Sequence, residues 1–150
     1  MLYLCILTKI EKMRIMAFDY GTKRIGVAVT DPLQIIATAL TTLHPNDVLD
    51  FLKKYVQTEP IEKFVVGLPL QMDGTPSQSA PHVKGFIRSL RRNFPETPVV
   101  TIDERFTSKM ASSVIAQSDL KREKKQQKSL VDQISAVIIL QSYMESSYLH

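Results

Sequence analysis

The stretch AFDYGTKRIGVAVTD, residues 17–31, places an apolar run on each side of a short polar turn. The run from Met13 to Phe18 is typical of a buried strand, and the run from Ile25 to Val29 predicts a second one. The residues between them, Gly21 to Arg24, are too few for a crossover helix. The two strands therefore form an antiparallel hairpin, and we expect Gly21 to supply backbone freedom at its turn.

Asp19 follows the first run, and the hairpin alone does not explain it. Strands disfavour aspartate, and a carboxylate at the mouth of a buried strand needs a partner. Two interpretations stay open at this point. Either Lys23 or Arg24 pairs with Asp19, or Asp19 holds a cation while the two basic residues bind an anion.

Composition indicates one globular domain with a mild lean toward anionic partners. The chain has 150 residues, 44% of them hydrophobic, with a net charge of +4. This charge favours nucleic acid weakly. Cys5 is the only cysteine and the three histidines are scattered, which argues against a disulfide framework and a zinc site. No apolar run approaches the roughly 18 residues of a membrane helix, so we expect a cytoplasmic protein with no membrane partner.

The opening segment, residues 1–12, differs from the rest of the chain. Its apolar part, MLYLCIL, lacks the basic region and the small-residue cleavage site of a signal peptide. It is either an extra edge strand or the result of a translation start assigned too early. The second alternative is suggested by Met13, which immediately precedes the first convincing strand. We favour the second interpretation and expect a single domain over residues 13–150.

Strand and helix patterns alternate along the remainder of the sequence. The periodicities predict strands at 34–43, 62–68 and 98–103, helices at 45–57, 81–93, 107–117 and 130–145, a loop at 71–79, and a basic linker at 121–128. The early strands are antiparallel, and strands reached through helices are parallel to a neighbour. We therefore expect an α/β fold with a mixed five-stranded sheet, helices on both faces, and a functional crevice beyond the carboxyl ends of its central strands.

Further carboxylates stand at the predicted end of the fifth strand and in the last helix. Neighbouring strand residues point to opposite faces, so only one of Asp103 and Glu104 can share a site with Asp19. Asp103 has a candidate partner in Arg105, which leaves Glu104 as the better candidate. Asp132 fits a capping box with Ser129, although it also heads an apolar helical stripe that would pack closely on the sheet. Both interpretations of Asp132 stay open.

A meeting of Asp19, Glu104 and Asp132 would form a cluster of oxygen ligands only. Three carboxylates within a few ångströms cannot all stay ionised without a cation. Hard oxygen ligands suit Mg²⁺ or Mn²⁺, and such a metal can activate a water for attack on a phosphodiester.

Four ordered motifs resemble one known family. AFDYGTKRIGVAVTD, VVGLPLQMDGT, DERFTS and VDQISAVIILQSY together are similar to the YqgF family of RuvC-like, ribonuclease H-fold nucleases. Its members are described as Holliday-junction-resolvase homologues or as pre-16S rRNA nucleases. The resemblance covers Arg14 to about Tyr143. The chain departs from the family pattern at Gln71, where asparagine is usual, and residues 1–12 lie outside it.

The resemblance implies that Asp19, Glu104 and Asp132 are the catalytic, metal-binding acids. It also implies a ribonuclease H-like fold and a metal-dependent endonuclease that processes the 5′ end of pre-16S rRNA during ribosome biogenesis. Expected partners are precursor rRNA, favoured over branched DNA, and ribosomal particles, with the protein a monomer or weak dimer. The basic residues that we expect to contact nucleic acid are Lys23, Arg24, Arg105, Lys124, Lys125 and Lys128.

Three other functions remain as alternatives. A Holliday junction resolvase would need two sites and hence a dimer, and no dimer interface is apparent in the sequence. A non-catalytic nucleic-acid or ribosome-assembly factor fits the modest charge. The first motif also resembles the phosphate loop of actin-like and sugar-kinase ATPases, although the chain is too short for their two lobes.

Overall fold

The structure, a computed structural model, describes residues 13–68, 80–103 and 124–148, with side chains in the last segment described from residue 131 to residue 146. The strands of these ranges are β1 (Arg14–Tyr20), β2 (Ile25–Thr30), β3 (Ala37–Leu43), β4 (Ile61–Leu68) and β5 (Val99–Asp103). The helices are α1 (Val48–Thr58), α2 (Ala80–Asn93) and α3 (Lys124–Tyr148).

The five strands form one mixed sheet in the order β3-β2-β1-β4-β5. β2 is antiparallel to both β1 and β3, whereas β4 is parallel to β1 and β5 is parallel to β4. The carboxyl ends of β1, β4 and β5 therefore lie at one edge of the sheet, beside the β1–β2 hairpin. The predicted hairpin and mixed five-stranded sheet are confirmed.

Helices cover both faces, and strand alternation sorts the core residues between them. Met16 and Phe18 of β1 pack in one apolar cluster with α1 and α2. Ile15 and Ala17 pack in a second cluster with α3, on the opposite face. All four are almost fully buried, which explains the continuous apolar run of β1.

Gly21 is required at the hairpin turn for space. Its N–H donates to the Arg24 carbonyl oxygen at 2.8 Å. A Cβ atom on Gly21 would lie 2.6 Å from the same oxygen, and the Gly21 φ angle is outside the left-handed region. The expectation of special backbone freedom at this glycine was therefore wrong, and close approach of the chain is the reason for it.

β3 begins at Ala37, three residues later than predicted, because Asp31 organises the preceding turn. The Asp31 carboxylate accepts hydrogen bonds from the backbone N–H groups of Leu33, Ile35 and Ile36. The bond from Ile36 is the main reason that the pKa of Asp31 lies below its usual value. Gln34 adopts a φ of 58° within this turn. These residues cannot extend β3.

α3 begins at Lys124, six residues before the predicted start of the last helix. Residues 124–128, interpreted as part of a basic linker, belong to this helix. Asp132 lies eight residues into α3, so its interpretation as part of a capping box with Ser129 was wrong. A capping box requires the helix to begin at that serine.

Other predicted boundaries agree with the structure to within one to three residues. The predicted helix at 107–117, the loop at 71–79, the first part of the basic linker and the opening segment 1–12 lie outside the described residues. None of the helices in the described ranges is both long enough and apolar enough to cross a membrane.

Candidate functional site

Asp19 lies within β1, near its carboxyl end. The predicted strand ended one residue earlier, at Phe18. It pairs with Gly26 across the antiparallel β1–β2 ladder. Asp19 has the same alternation as Ile15 and Ala17, whose side chains face α3. Its carboxylate therefore belongs to the face of the sheet that α3 covers.

Gly26 brings the backbone of α3 onto this part of the sheet. A Cβ atom at Gly26 would lie 2.1 Å from the backbone oxygen of Asp132 and 3.2 Å from its Cα atom. Any side chain at Gly26 would clash there. Asp132 therefore lies directly over Gly26, which is the cross-strand partner of Asp19. Paired residues of antiparallel strands have Cα atoms about 5 Å apart, so Asp132 and Asp19 are close neighbours.

Sequence reasoning missed the role of Gly26. It assigned this residue only to the second predicted strand. A glycine within a strand interior often marks the close approach of another backbone, and this was the available signal.

Arg24 joins the hairpin to α3. Its Nε atom donates to Oδ2 of Asp132 at 2.8 Å, with 40% of the arginine side chain and 23% of the aspartate side chain exposed. The hairpin cation therefore pairs with the acid of α3, an arrangement that neither interpretation of Asp19 had considered. An ion pair this exposed contributes about 1 kcal/mol or less to stability.

Asp103 faces away from Asp19. It pairs with Leu68 of β4, which packs against the cluster of α1 and α2. Its neighbour Ile102 packs with α3. We expected Asp103 and Glu104 to point to opposite faces of the sheet. The structure places Asp103, whereas Glu104 lies outside the described residues, so its side of the sheet stays a prediction.

A buried hydroxyl lies one helical turn beyond Asp132. Ser135 is fully buried, and its Oγ atom has no hydrogen-bond partner in the described part of the chain. An unsatisfied buried hydroxyl costs about 1–3 kcal/mol, and such groups in native proteins usually have a functional or solvent partner. Sequence reasoning did not identify this hydroxyl as a site group, because a serine in an apolar helical segment is equally typical of close packing.

Five of the six predicted basic residues lie in the β1–β2 hairpin or in the first turns of α3, toward the same edge. Lys23 is exposed at the tip of the β1–β2 hairpin, next to Arg24. Lys124, Lys125 and Lys128 lie in the first turns of α3, and Arg105 lies outside the described residues. Within 13–68, 80–103 and 131–146, no three acidic, histidine or cysteine side chains are grouped closely enough to hold a metal ion.

This sheet order, with α3 packed over the face that carries Asp19, defines an α/β protein of the ribonuclease H-like class. The same fold occurs in the RuvC structure from Thermus thermophilus, with a TM-score of 0.50, 12% identity, and coverage of 89% of this chain and 97% of that one. The predicted fold class is confirmed.

The family model described as "RuvX: Holliday junction resolvase" matches residues 13–146. The chain therefore belongs to the RuvX family of nucleases, enzymes that hydrolyse phosphodiester bonds, and the predicted resemblance to the YqgF family is confirmed.

Close relatives carry one shared name. A protein of Phocaeicola vulgatus is 51% identical over 133 residues, and one of Bacteroides thetaiotaomicron is 49% identical over 133 residues. Each of these alignments covers 89% of this chain and 96% of the relative. Both relatives are named "Putative pre-16S rRNA nuclease".

Proposed function

We propose that this chain is a cytoplasmic, divalent-metal-dependent endonuclease that processes the 5′ end of precursor 16S rRNA. Family membership supports phosphodiester hydrolysis, and the names of the relatives support the choice of substrate. The observation that carries the proposed site is the contact of Gly26 with the backbone of Asp132. This contact brings an acid of α3 to the neighbour of Asp19 and leaves no room for a side chain between them.

We infer that Glu104 is the third acid of the site. Asp103 faces α1 and α2, so it is on the wrong side of the sheet to join Asp19. Since neighbouring residues of a strand sequence alternate between faces, we assign its neighbour Glu104 to the site instead. The family motif DERFTS supports the same choice.

The donor set of Asp19, Glu104 and Asp132 fits a hard divalent cation, Mg²⁺ or Mn²⁺. When bound, the metal supplies charge stabilisation at the phosphate and lowers the pKa of a water molecule. The protein's own contribution is to hold the carboxylates together against their mutual repulsion. The pairing of Arg24 with Asp132 offsets part of that repulsion.

Arg24 and Lys23 are suited to bind substrate phosphates beside the acids. The Arg24 side chain is 40% exposed, so a phosphate can reach it while it lies against Asp132. A guanidinium can donate to a carboxylate and a phosphate at once because it has five N–H groups in a fixed plane. We therefore assign Arg24 to orienting the scissile phosphate next to the acid.

Arg24→Gln should weaken substrate binding with little effect on folding. We expect KM for RNA to rise about tenfold, since a charged hydrogen bond to phosphate is lost. The free energy of unfolding should fall by about 1 kcal/mol at most. Steady-state kinetics and thermal melts measure both quantities. Arg24→Lys should recover part of the affinity, and an unchanged KM in Arg24→Gln would show that Arg24 serves only the fold.

Replacement of Lys124, Lys125 and Lys128 by alanine should weaken nucleic-acid binding for all sequences alike. These residues lie at the amino-terminal end of α3, the end that leads to Asp132. Each lost phosphate contact flattens the dependence of log K on log salt concentration by slightly less than one unit. Filter binding at several KCl concentrations checks this prediction. An unchanged slope would show that these lysines do not contact phosphates and serve only to keep the helix solvated.

The substrate is tested by parallel cleavage assays. A precursor rRNA 5′ leader and a four-way DNA junction are incubated with the protein in Mg²⁺ or Mn²⁺. We expect site-specific cleavage of the RNA leader. Cleavage of the junction alone would favour a resolvase, the activity given in the family description, and no cleavage of either would favour a non-catalytic assembly factor.

A further inference from the structure

α2 carries an unusually one-sided charge. Its basic residues are Lys84, Arg88, Arg91 and Arg92, and it contains no acidic residue. The formal charge of +4 on this single helix equals the net charge of the whole chain. The other 15 lysines and arginines are balanced by the 15 aspartates and glutamates. α2 is therefore one of two concentrations of positive charge in the sequence, the other being residues 121–128, which also carry a net charge of +4.

These four residues form an exposed strip, here termed the α2 stripe. All four are exposed, and none forms an ion pair with another residue in the described ranges. The opposite side of the helix packs into the core through Val83, Phe86, Ile87 and Leu90. Because these apolar residues are buried against the sheet, α2 has no apolar side left with which to enter a membrane.

The helix dipole accounts for the presence of only two of the four basic residues of the stripe. Arg91 and Arg92 lie in the last turn of α2, where cations are favoured by the helix dipole. Lys84 and Arg88 lie in earlier turns, where this effect is weak. They are separated by one helical turn on the same side, without an acid nearby on the helix to pair with them.

The stripe begins near the edge of the sheet that carries the candidate site. Asn93 at the end of α2 is followed by a short turn into the amino end of β5, so the start of the helix lies toward the carboxyl edge. Lys84 and Arg92 are about 12 Å apart along the helix. Each strand of a duplex carries one phosphate per roughly 3.4 Å of its axis, so a duplex lying parallel to α2 presents three or four phosphates of one strand over this length.

We propose that the α2 stripe binds the sugar–phosphate backbone of a double-stranded arm of the substrate. The candidate site is on the α3 face of the sheet and α2 is on the other face, so this arm would extend past the carboxyl edge of the sheet from the cleaved strand to α2. The proposal rests on the proposed nuclease function. Single-strand binding normally adds stacking on aromatic side chains. The aromatic residue of α2, Phe86, is buried, so the stripe offers charge without a stacking surface. Charge alone fits the regular backbone of a duplex.

The test compares two variants that each lose two positive charges. Lys84→Gln/Arg88→Gln alters the stripe, and Lys53→Gln/Lys54→Gln alters exposed lysines of α1 on the same face of the sheet. Binding is measured in EDTA, which prevents cleavage, at several KCl concentrations. The two probes are a 24-base-pair RNA duplex with a single-stranded 5′ extension and a six-nucleotide single strand.

The stripe variant should bind the duplex probe about tenfold more weakly and flatten its salt dependence by roughly 1.5 units. Its affinity for the short strand should not change, and the α1 variant should resemble wild type with both probes. Equal losses in the two variants would show a general charge effect and overturn the proposal. An unchanged duplex affinity in the stripe variant would also overturn the proposal. The stripe would then be expected to bind a partner other than a duplex, such as an acidic protein. Since no cleavage is measured, failure of the proposed nuclease function is detected separately.

Discussion

Gly26→Ala will destabilise the protein and separate α3 from the candidate site. The new Cβ atom would lie 2.1 Å from the Asp132 backbone oxygen, and the contact atom is backbone, which has no rotamer with which to move away. α3 must shift as a unit, and it contributes the buried residues Ala136, Ile139 and Leu140 to the core. We expect a loss of about 3 kcal/mol or more in the free energy of unfolding, measured by urea denaturation.

Gly85→Ala is the matched control for this substitution. Gly85 lies within α2, and nothing approaches within 4 Å of a Cβ atom built there. Alanine should therefore stabilise the helix by about 0.5–1 kcal/mol. If Gly26→Ala is as well tolerated as Gly85→Ala, α3 does not lie against β2 at Asp132, and the grouping of Asp19 with Asp132 loses its support.

Asp19→Asn, Glu104→Gln and Asp132→Asn should each abolish metal-dependent cleavage while the fold is retained. Each substitution keeps the shape of the side chain and removes a charge that the cation needs. We expect the cleavage rate to fall by about two to three orders of magnitude or more. The rate is measured with Mn²⁺ on the precursor rRNA leader.

Thermal melts in EDTA separate a catalytic role from a structural one. Without metal the carboxylates repel one another, so losing one charge should leave stability unchanged or raise it. Asp132→Asn also loses the ion pair with Arg24, which costs about 1 kcal/mol at most. A variant that melts much earlier and yet cuts at the wild-type rate would identify its acid as structural.

Local patterns in the sequence were sufficient to predict the sheet and the positions of most of its elements. The short turn at Gly21 to Arg24 allowed only an antiparallel hairpin, and the later strands had to be parallel because helices separate them. Alternation also predicted that Asp103 and its neighbour face opposite sides, and Asp103 does face α1 and α2. These inferences depend on chain geometry over a few residues.

The features that the sequence did not predict depend on contacts between distant parts of the chain. The pairing of Arg24 with Asp132 joins residues 108 positions apart. The close approach at Gly26 likewise depends on where α3 crosses β2. The early start of α3 was missed because lysine and glutamine are good helix formers and are also enriched in polar segments without structure. The resemblance to the family supplied the grouping of acids that local patterns left open.

Mn²⁺ binding by the intact protein tests the proposed three-acid site most directly. Isothermal titration calorimetry at pH 7 compares wild type with Asp19→Asn, Glu104→Gln and Asp132→Asn, and with Asp103→Asn as a control on the opposite face of the sheet. We predict that each of the first three variants binds Mn²⁺ at least about 100-fold more weakly than wild type, and that Asp103→Asn binds it normally. Wild-type affinity in Asp19→Asn or Asp132→Asn would contradict the proposed site.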